Sequence, residues 1–196
     1  MRLFIALEIT DDIRSRIQRF IEGVSGFAPD ARWVSPESLH LTLKFIGEKS
    51  EAFAENIKQS LATVKSEPLE IAFRGHGFFP GPKHARVFWI GVEAGPQLPA
   101  LAAAVDNALV PLTIPKETHA FFPHITLARA AASRAKKGEQ GGGSTYGFGR
   151  LQEKLSALSS PEFGSMTARE FFLYESKLSG KGPRYIKLAS FEPIRR

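Results

Sequence analysis

The stretches "LHLTLKF" and "PHITLAR" repeat one pattern 84 residues apart: His-x-Thr-x with an apolar residue at each x, His40 and Thr42 in the first, His124 and Thr126 in the second. Successive side chains of a β-strand point to opposite faces, so residues i and i+2 share one. His40 and Thr42 therefore share a face, while Leu39, Leu41, Leu43 and Phe45 take the other. His124 and Thr126 likewise share a face opposite Ile125 and Leu127. The fold must bury one face of each strand and leave an imidazole and a hydroxyl on the other. If the two strands lie near each other, two imidazoles and two hydroxyls converge.

The rest of the chain supplies the elements to do this. "RLFIALEI" reads as a strand bounded by an acidic turn, and "DDIRSRIQRFIEGV" as a helix with Ile13, Ile17, Phe20, Ile21 and Val24 on one face. "ARWV" is a short strand, "SPES" a turn, and "LHLTLKFIG" a strand that stops at Gly47. "SEAFAENIKQSLATV" is an amphipathic helix with Phe53, Ile57, Leu61 and Val64 inward. "LEIAFRGHGFF" and "ARVFWIGV" pair around the turn "PGPK". "PQLPALAAAVDNALV" is a helix aligned on Leu98, Leu101, Val105 and Leu109. "PHITLAR" is a strand, "RLQEKLSAL" a short helix, and "SMTAREFFLYES" and "RYIKLASFEP" the last two strands.

Hairpins outnumber helices, and helices recur between groups of strands. That order implies an α+β fold with antiparallel sheets. The spacing of the two motifs, each near a block of helix and strands, suggests an internal duplication. At 196 residues the chain fits one domain of two lobes around a shared core. Residues 131–150 carry the Gly-rich run "KKGEQGGGSTYGFG", which reads as a flexible insertion. It lacks the Gly-Lys-Ser/Thr of a P-loop and the G-x-G-x-x-G of a dinucleotide site.

Cysteine is absent, which excludes disulfides and Cys-based zinc sites. No run approaches the ~18 apolar residues of a membrane span, and "MRLFIALEIT" lacks signal-peptide chemistry. We expect a cytoplasmic protein with no membrane partner. A formal charge of +6 favours polyanionic partners such as RNA, provided the chain also holds a phosphate-handling site.

Two opposed imidazoles suit one task. One, neutral, takes a proton from a nucleophile, and the other, protonated, gives one to a leaving oxygen. Histidine titrates near neutrality, so both states are accessible. Thr42, Thr126 and a nearby cation can hold the non-bridging oxygens of a phosphoryl group. Arg129, five residues after His124, is the candidate cation. Its odd offset turns it away from His124 unless the strand bends. The implied reaction is phosphodiester hydrolysis by acid–base catalysis, with no metal and no cofactor. His76, His84 and His119 have no such company and read as ordinary sheet, turn and loop residues. Two other readings stay open. Five histidines could hold a metal, although neither H-E-x-x-H nor another ligand spacing occurs. A non-catalytic RNA-binding module would account for the charge but not for the duplicated pair.

At these motifs the chain resembles the 2H phosphoesterase superfamily, and within it the RNA 2′,3′-cyclic phosphodiesterases, also called 2′-5′ RNA ligases. The resemblance runs from "RLFIAL" through "WVSPESLHLTLKFIG", "GHGFFPGPKHARVFWIGV" and "FFPHITLAR" to "FFLYESKLSGKGPRYIKLASF". It implies two similar α+β lobes related by a pseudo-twofold axis, with the active cleft between them. It implies hydrolysis of RNA 2′,3′-cyclic phosphate ends to 2′-phosphomonoesters, and reversible 2′-5′ ligation of tRNA halves in some members. By that resemblance His40 is the proton donor to the departing 3′ oxygen, His124 the base that activates water, and Thr42, Thr126 and Arg129 the phosphate holders. The residues alone do not separate acid from base. A phosphodiesterase for another small cyclic phosphate is the alternative within the fold. We expect a monomer acting on RNA ends, tRNA halves among them. The segment before "LQEKL" departs from the family pattern in length and glycine content, which leaves substrate size preference open.

Two imidazoles can supply acid and base without a Lewis acid. Turnover should therefore survive exhaustive chelation. Loss under chelator, with recovery on one added divalent metal, would return the metal reading.

Overall fold

The computed structural model of the chain describes residues 1–65, 67–131, 148–179 and 182–192. The elements run Arg2–Glu8 (β1), Asp11–Val24 (α1), Arg32–Trp33 (β2), His40–Glu48 (β3), Glu51–Leu61 (α2), Leu69–Phe79 (β4) and Val87–Ala94 (β5). They continue with Gln97–Leu109 (α3), His124–Arg129 (β6), Gly149–Ser156 (α4), Glu162–Ala168 (β7), Phe171–Ser179 (β8) and Gly182–Phe191 (β9). Local chemistry explains the helix starts. Asp11 and Asp12 sit in the first turn of α1, where carboxylates meet the positive end of the helix dipole. The Ser50 hydroxyl accepts the Phe53 N–H at 3.2 Å and caps α2.

Two antiparallel sheets form, in the orders β3-β1-β8-β9 and β2-β6-β5-β4-β7. Each is built on a strand, β1 or β5, that leads through a helix, α1 or α3, into the neighbouring motif strand, β3 or β6. The halves then exchange strands. β4, which follows α2, pairs with β5, and β8 pairs with β1. Helices cross over as well: Phe20 of α1 packs edge-on against Phe163 of the second sheet, ring centroids 5.3 Å apart. One large buried apolar cluster spans both sheets, containing Leu3, Ile5 and Leu41 of the first and Phe73, Phe88 and Ile125 of the second, and a smaller one of Phe4, Ala6, Phe172 and Tyr174 lies on the other face of the first sheet. At about 1.5–3 kcal/mol per fully buried large side chain, this core holds the two motif strands rigidly from behind.

The structure departs from simple alternation in two places. "SMTAREFFLYES" is not one strand: β7 lies at the edge of the second sheet and β8 inside the first. The charged pair Arg169–Glu170 interrupts the apolar alternation, and the chain crosses between sheets there. Phe45, expected on the core face, is 60% exposed, while Lys44 beside it is buried. The cause is a β-bulge: Ile5 pairs with Lys44 and Ala6 with Thr42, which leaves Leu43 as the extra residue of β3. Most of the 131–150 segment, residues 132–147, lies outside the described residues, and Gly149 and Arg150 open α4.

Candidate active site

The same bulge occurs in the second motif. Phe88 pairs with Ala128 and Trp89 with Thr126, so Leu127 is the extra residue of β6. Leu127 and Ala128 both point inward and are fully buried. The next residue, Arg129, is thereby turned back to the face that carries His124 and Thr126, which supplies the bend its odd offset required. Arg129 is exposed there, and its charge opposes protonation of both His40 and His124. In the first motif the equivalent place is taken by Phe45.

Both imidazoles are fixed in the same way. His40 Nδ1 lies 2.7 Å from the Ser38 carbonyl oxygen, and His124 Nδ1 lies 2.8 Å from that of Phe122. A carbonyl only accepts, so each Nδ1 carries the proton and each Nε2 is left with a lone pair when the ring is neutral. The anchor is in both cases two residues upstream, where the chain enters the strand. The Ser38 turn is itself tied to α1, because Arg14 donates to the carbonyls of Pro36 and Ile9.

Aromatic rings enclose each imidazole. Phe4 stands 4.8 Å and Tyr185 5.0 Å from the His40 ring, with Tyr174 stacked on Phe4 behind them. Phe79 meets the His124 ring edge-on at 5.0 Å, with Trp89 and Phe122 at 6.3 and 6.2 Å. Trp89 lies flat over Gly77, where a Cβ would come within 2.2 Å of the indole, so only glycine fits beneath it. Burial among these rings, followed by the charges of Arg129, His124 and Arg14, lowers the His40 pKa to about 4, against the opposing hydrogen bond to Ser38. Burial and then Arg129 also lower His124, again against its backbone hydrogen bond. Burial raises the Tyr185 phenol, which keeps it a neutral donor.

All five residues expected from the sequence thus belong to two facing, bulged strands. Tyr185, Phe4, Phe45 and Trp89 join them without having been anticipated. Tyr185 comes from β9 at the far end of the chain, and its approach to His40 depends on the curl of the first sheet. The anchoring carbonyls carry no side-chain signature. Among the described residues no three His, Asp or Glu side chains gather as a metal-holding cluster. His76, His84 and His119 lie in β4, in the turn Pro82–His84 and in the loop before β6.

Two outcomes follow from this geometry. Arg129→Ala should lower turnover by ~10²-fold, the usual loss for one donor aimed at developing charge. Steady-state kinetics check it, and wild-type turnover would show that the bend has no catalytic consequence. The second concerns stability. The folded chain keeps His40 neutral down to pH ~4, whereas the unfolded chain protonates it near 6.5. The unfolded state thus binds more protons between these values. The stabilisation is complete above pH 6.5 and is lost as pH falls towards 4. In urea unfolding at pH 7.5 and 4.5, His40→Asn should lose about 2 kcal/mol less than the wild type on acidification. Equal losses would show that His40 is no more shielded than in the unfolded chain.

Comparison with known proteins places the chain. The family model described as LigT-like phosphoesterase matches residues 7–89. An RNA 2′,3′-cyclic phosphodiesterase of Archaeoglobus fulgidus is 35% identical over 98% of this chain and 100% of its own length. One from Methanothermobacter thermautotrophicus is 30% identical over 97% and 98%. Among solved structures, TT0787 of Thermus thermophilus superposes with a TM-score of 0.72 at 29% identity, covering 98% of this chain and 97% of that one. E. coli LigT complexed with 3′-AMP shares the fold, with a TM-score of 0.76 at 24% identity over 99% and 98%. With relatives of this identity along its whole length, the chain belongs to the LigT-like phosphoesterases, the 2H phosphoesterase family.

Proposed function

We propose that this protein is an RNA 2′,3′-cyclic phosphodiesterase that opens the ring at the 3′ oxygen and leaves a 2′-phosphomonoester. The observation that carries the reading is the pair of imidazoles held through Nδ1 by equivalent carbonyls, which leaves both Nε2 atoms available, on strands near enough for His124 and Arg129 to act on His40. Family membership supplies the reaction class. His124 Nε2 takes a proton from water as its oxygen bonds to phosphorus. The bond from phosphorus to O3′ breaks, and O3′ takes the proton of His40 Nε2–H. Thr42, Thr126 and Arg129 hold the non-bridging oxygens. The turnover leaves His124 protonated and His40 neutral, and exchange with solvent resets both.

In the free site both histidines are biased to the neutral form, so His40 carries no standing proton at neutral pH. The substrate brings the remedy. An anionic phosphate between the rings offsets the Arg129 charge and favours a cationic imidazole. Phe45, exposed beside Phe4 at 6.2 Å, offers a ring on which the base of the terminal nucleotide can stack. The positive balance of +6 suits an RNA chain beyond that nucleotide. The reading extends to a monomer of one two-lobed domain, acting in the cytoplasm on RNA ends such as those of tRNA halves. With an RNA 5′-hydroxyl in place of water as the nucleophile, the same opening at O3′ gives a 2′-5′ linkage, in a reversible reaction. Among the described residues no helix is long and apolar enough to cross a membrane.

The test is a short RNA ending in a 2′,3′-cyclic phosphate, with the product identified by its resistance to a 3′-specific phosphatase. A 3′-phosphate would reverse the leaving oxygen. Absence of turnover with retained RNA binding would favour a binding module. His40→Ala and His124→Ala should each cost ~10²–10⁴-fold. The wild-type kcat/KM should trace a bell against pH, centred lower than that of kcat, because bound phosphate raises both histidines. Removing the donor His40 should abolish the basic limb, and removing the base His124 the acidic one. Exchanged limbs would invert the two roles.

A further inference from the structure

Lys44 is 3% exposed, although strict alternation from Thr42 would aim it into the cleft. The bulge at Leu43 turns it into the core instead. In β6 the equivalent residue is Ala128, which an apolar core accommodates without help. Lys44 brings a charge there and is met by partners from one region. Its ammonium donates to the Asp106 carboxylate of α3 and, at 2.9 Å, to the Pro115 carbonyl. The Glu117 carboxylate stands 3.7 Å away. The second oxygen of Asp106 accepts the Glu117 N–H at 3.1 Å. Pro115 and Glu117 lie in the irregular connection that follows α3 and leads into β6. Five residues after Glu117 comes Phe122, whose carbonyl takes the His124 Nδ1–H.

We propose that the Lys44–Asp106 pair is a positioning device for His124. It ties the first lobe's motif strand to the connection that enters the second. It thereby sets the Phe122 carbonyl that fixes the tautomer and aim of the His124 ring. A buried ion pair is weak ground for stability, since an apolar pair of similar volume often serves a core as well or better. Methionine and leucine, however, cannot hold the Pro115 carbonyl or the Glu117 N–H. The Phe122 ring also rests on Phe79 and Trp89, which restrain the side chain but leave the carbonyl to follow the incoming backbone. His40 is different: its anchor, Ser38, is tied through Pro36 to Arg14 of α1 and through its hydroxyl to the Pro183 carbonyl, neither of them part of the Lys44–Asp106 pair. The two histidines should therefore respond unequally when the pair is removed.

The experiment compares the wild type with Lys44→Met, Asp106→Asn and the double variant Lys44→Met/Asp106→Leu. The single variants strand a buried charge and are at risk of unfolding. The double variant removes both charges and decides the question. Imidazole nitrogen–proton correlation spectra report the tautomer of each histidine. Expected in the double variant are an unfolding midpoint near that of the wild type, a new Nε2–H population at His124, and an unchanged His40. On RNA cyclic phosphate, kcat should fall ~10-fold with KM nearly constant, within the range that small misplacements of a reacting group produce. A wild-type tautomer at His124, an equal change at both histidines, or a double variant that does not fold would each overturn the proposal. The kinetic arm rests on the cyclic-phosphate reading and the spectra do not. A wild type without turnover would sink that reading and leave the spectra to decide this one.

Discussion

One extra residue in each motif strand governs the cleft. In a regular strand the position after the second x of His-x-Thr-x would share the histidine face and the next would face the core. The bulges at Leu43 and Leu127 reverse this. Two consecutive side chains go inward in each strand, and the following residue comes back to the histidine face. The gain is apolar burial behind the motif, where Leu43, Leu127 and Ala128 are all buried. The consequence in front is an arginine on one side and a phenylalanine on the other. The site is pseudo-symmetric in its histidines and asymmetric in what the bulges deliver.

That asymmetry matters because the histidines themselves are nearly equivalent. Each is anchored through Nδ1 by the carbonyl two residues upstream, each is boxed by aromatic rings, and each is biased to neutrality by burial and by Arg129. In the proposed reaction an anionic phosphodiester offsets the Arg129 charge and favours a cationic ring, so substrate binding would also set the protonation pattern.

The swap of strands between halves explains how two motifs 84 residues apart are held in register. Neither half completes a sheet from its own consecutive strands, because β4 pairs with β5 and β8 with β1. The core is therefore common to both lobes, and the cleft rests on one continuous apolar layer. Lys44 adds a polar tie through the same layer, at the one bulge position where the core receives a charge in place of an alanine.

Most elements were legible in the chain, because period-2 and period-3.6 patterns report burial directly. The faces of α1 and α3 were read from Ile13, Ile17, Leu101 and Val105, all buried. The duplicated His-x-Thr-x determined by itself which side chains share a face and what chemistry they can perform. Alternation failed at Phe45 and Lys44 because a bulge is a property of pairing: it exists only relative to β1, which no local pattern encodes. It failed at "SMTAREFFLYES" because the choice between continuing a strand and crossing to another sheet is made by the partners of Met166 and Leu173, not by their spacing. Arg129 was nameable from the sequence, but only strand pairing, through the bulge at Leu127, turns it to the face that carries His124 and Thr126. The Ser38 and Phe122 carbonyls and the ring of Tyr185 belonged wholly to the structure, since backbone acceptors leave no mark in a sequence and contacts from the far end of a chain arise only when sheets curl and pack.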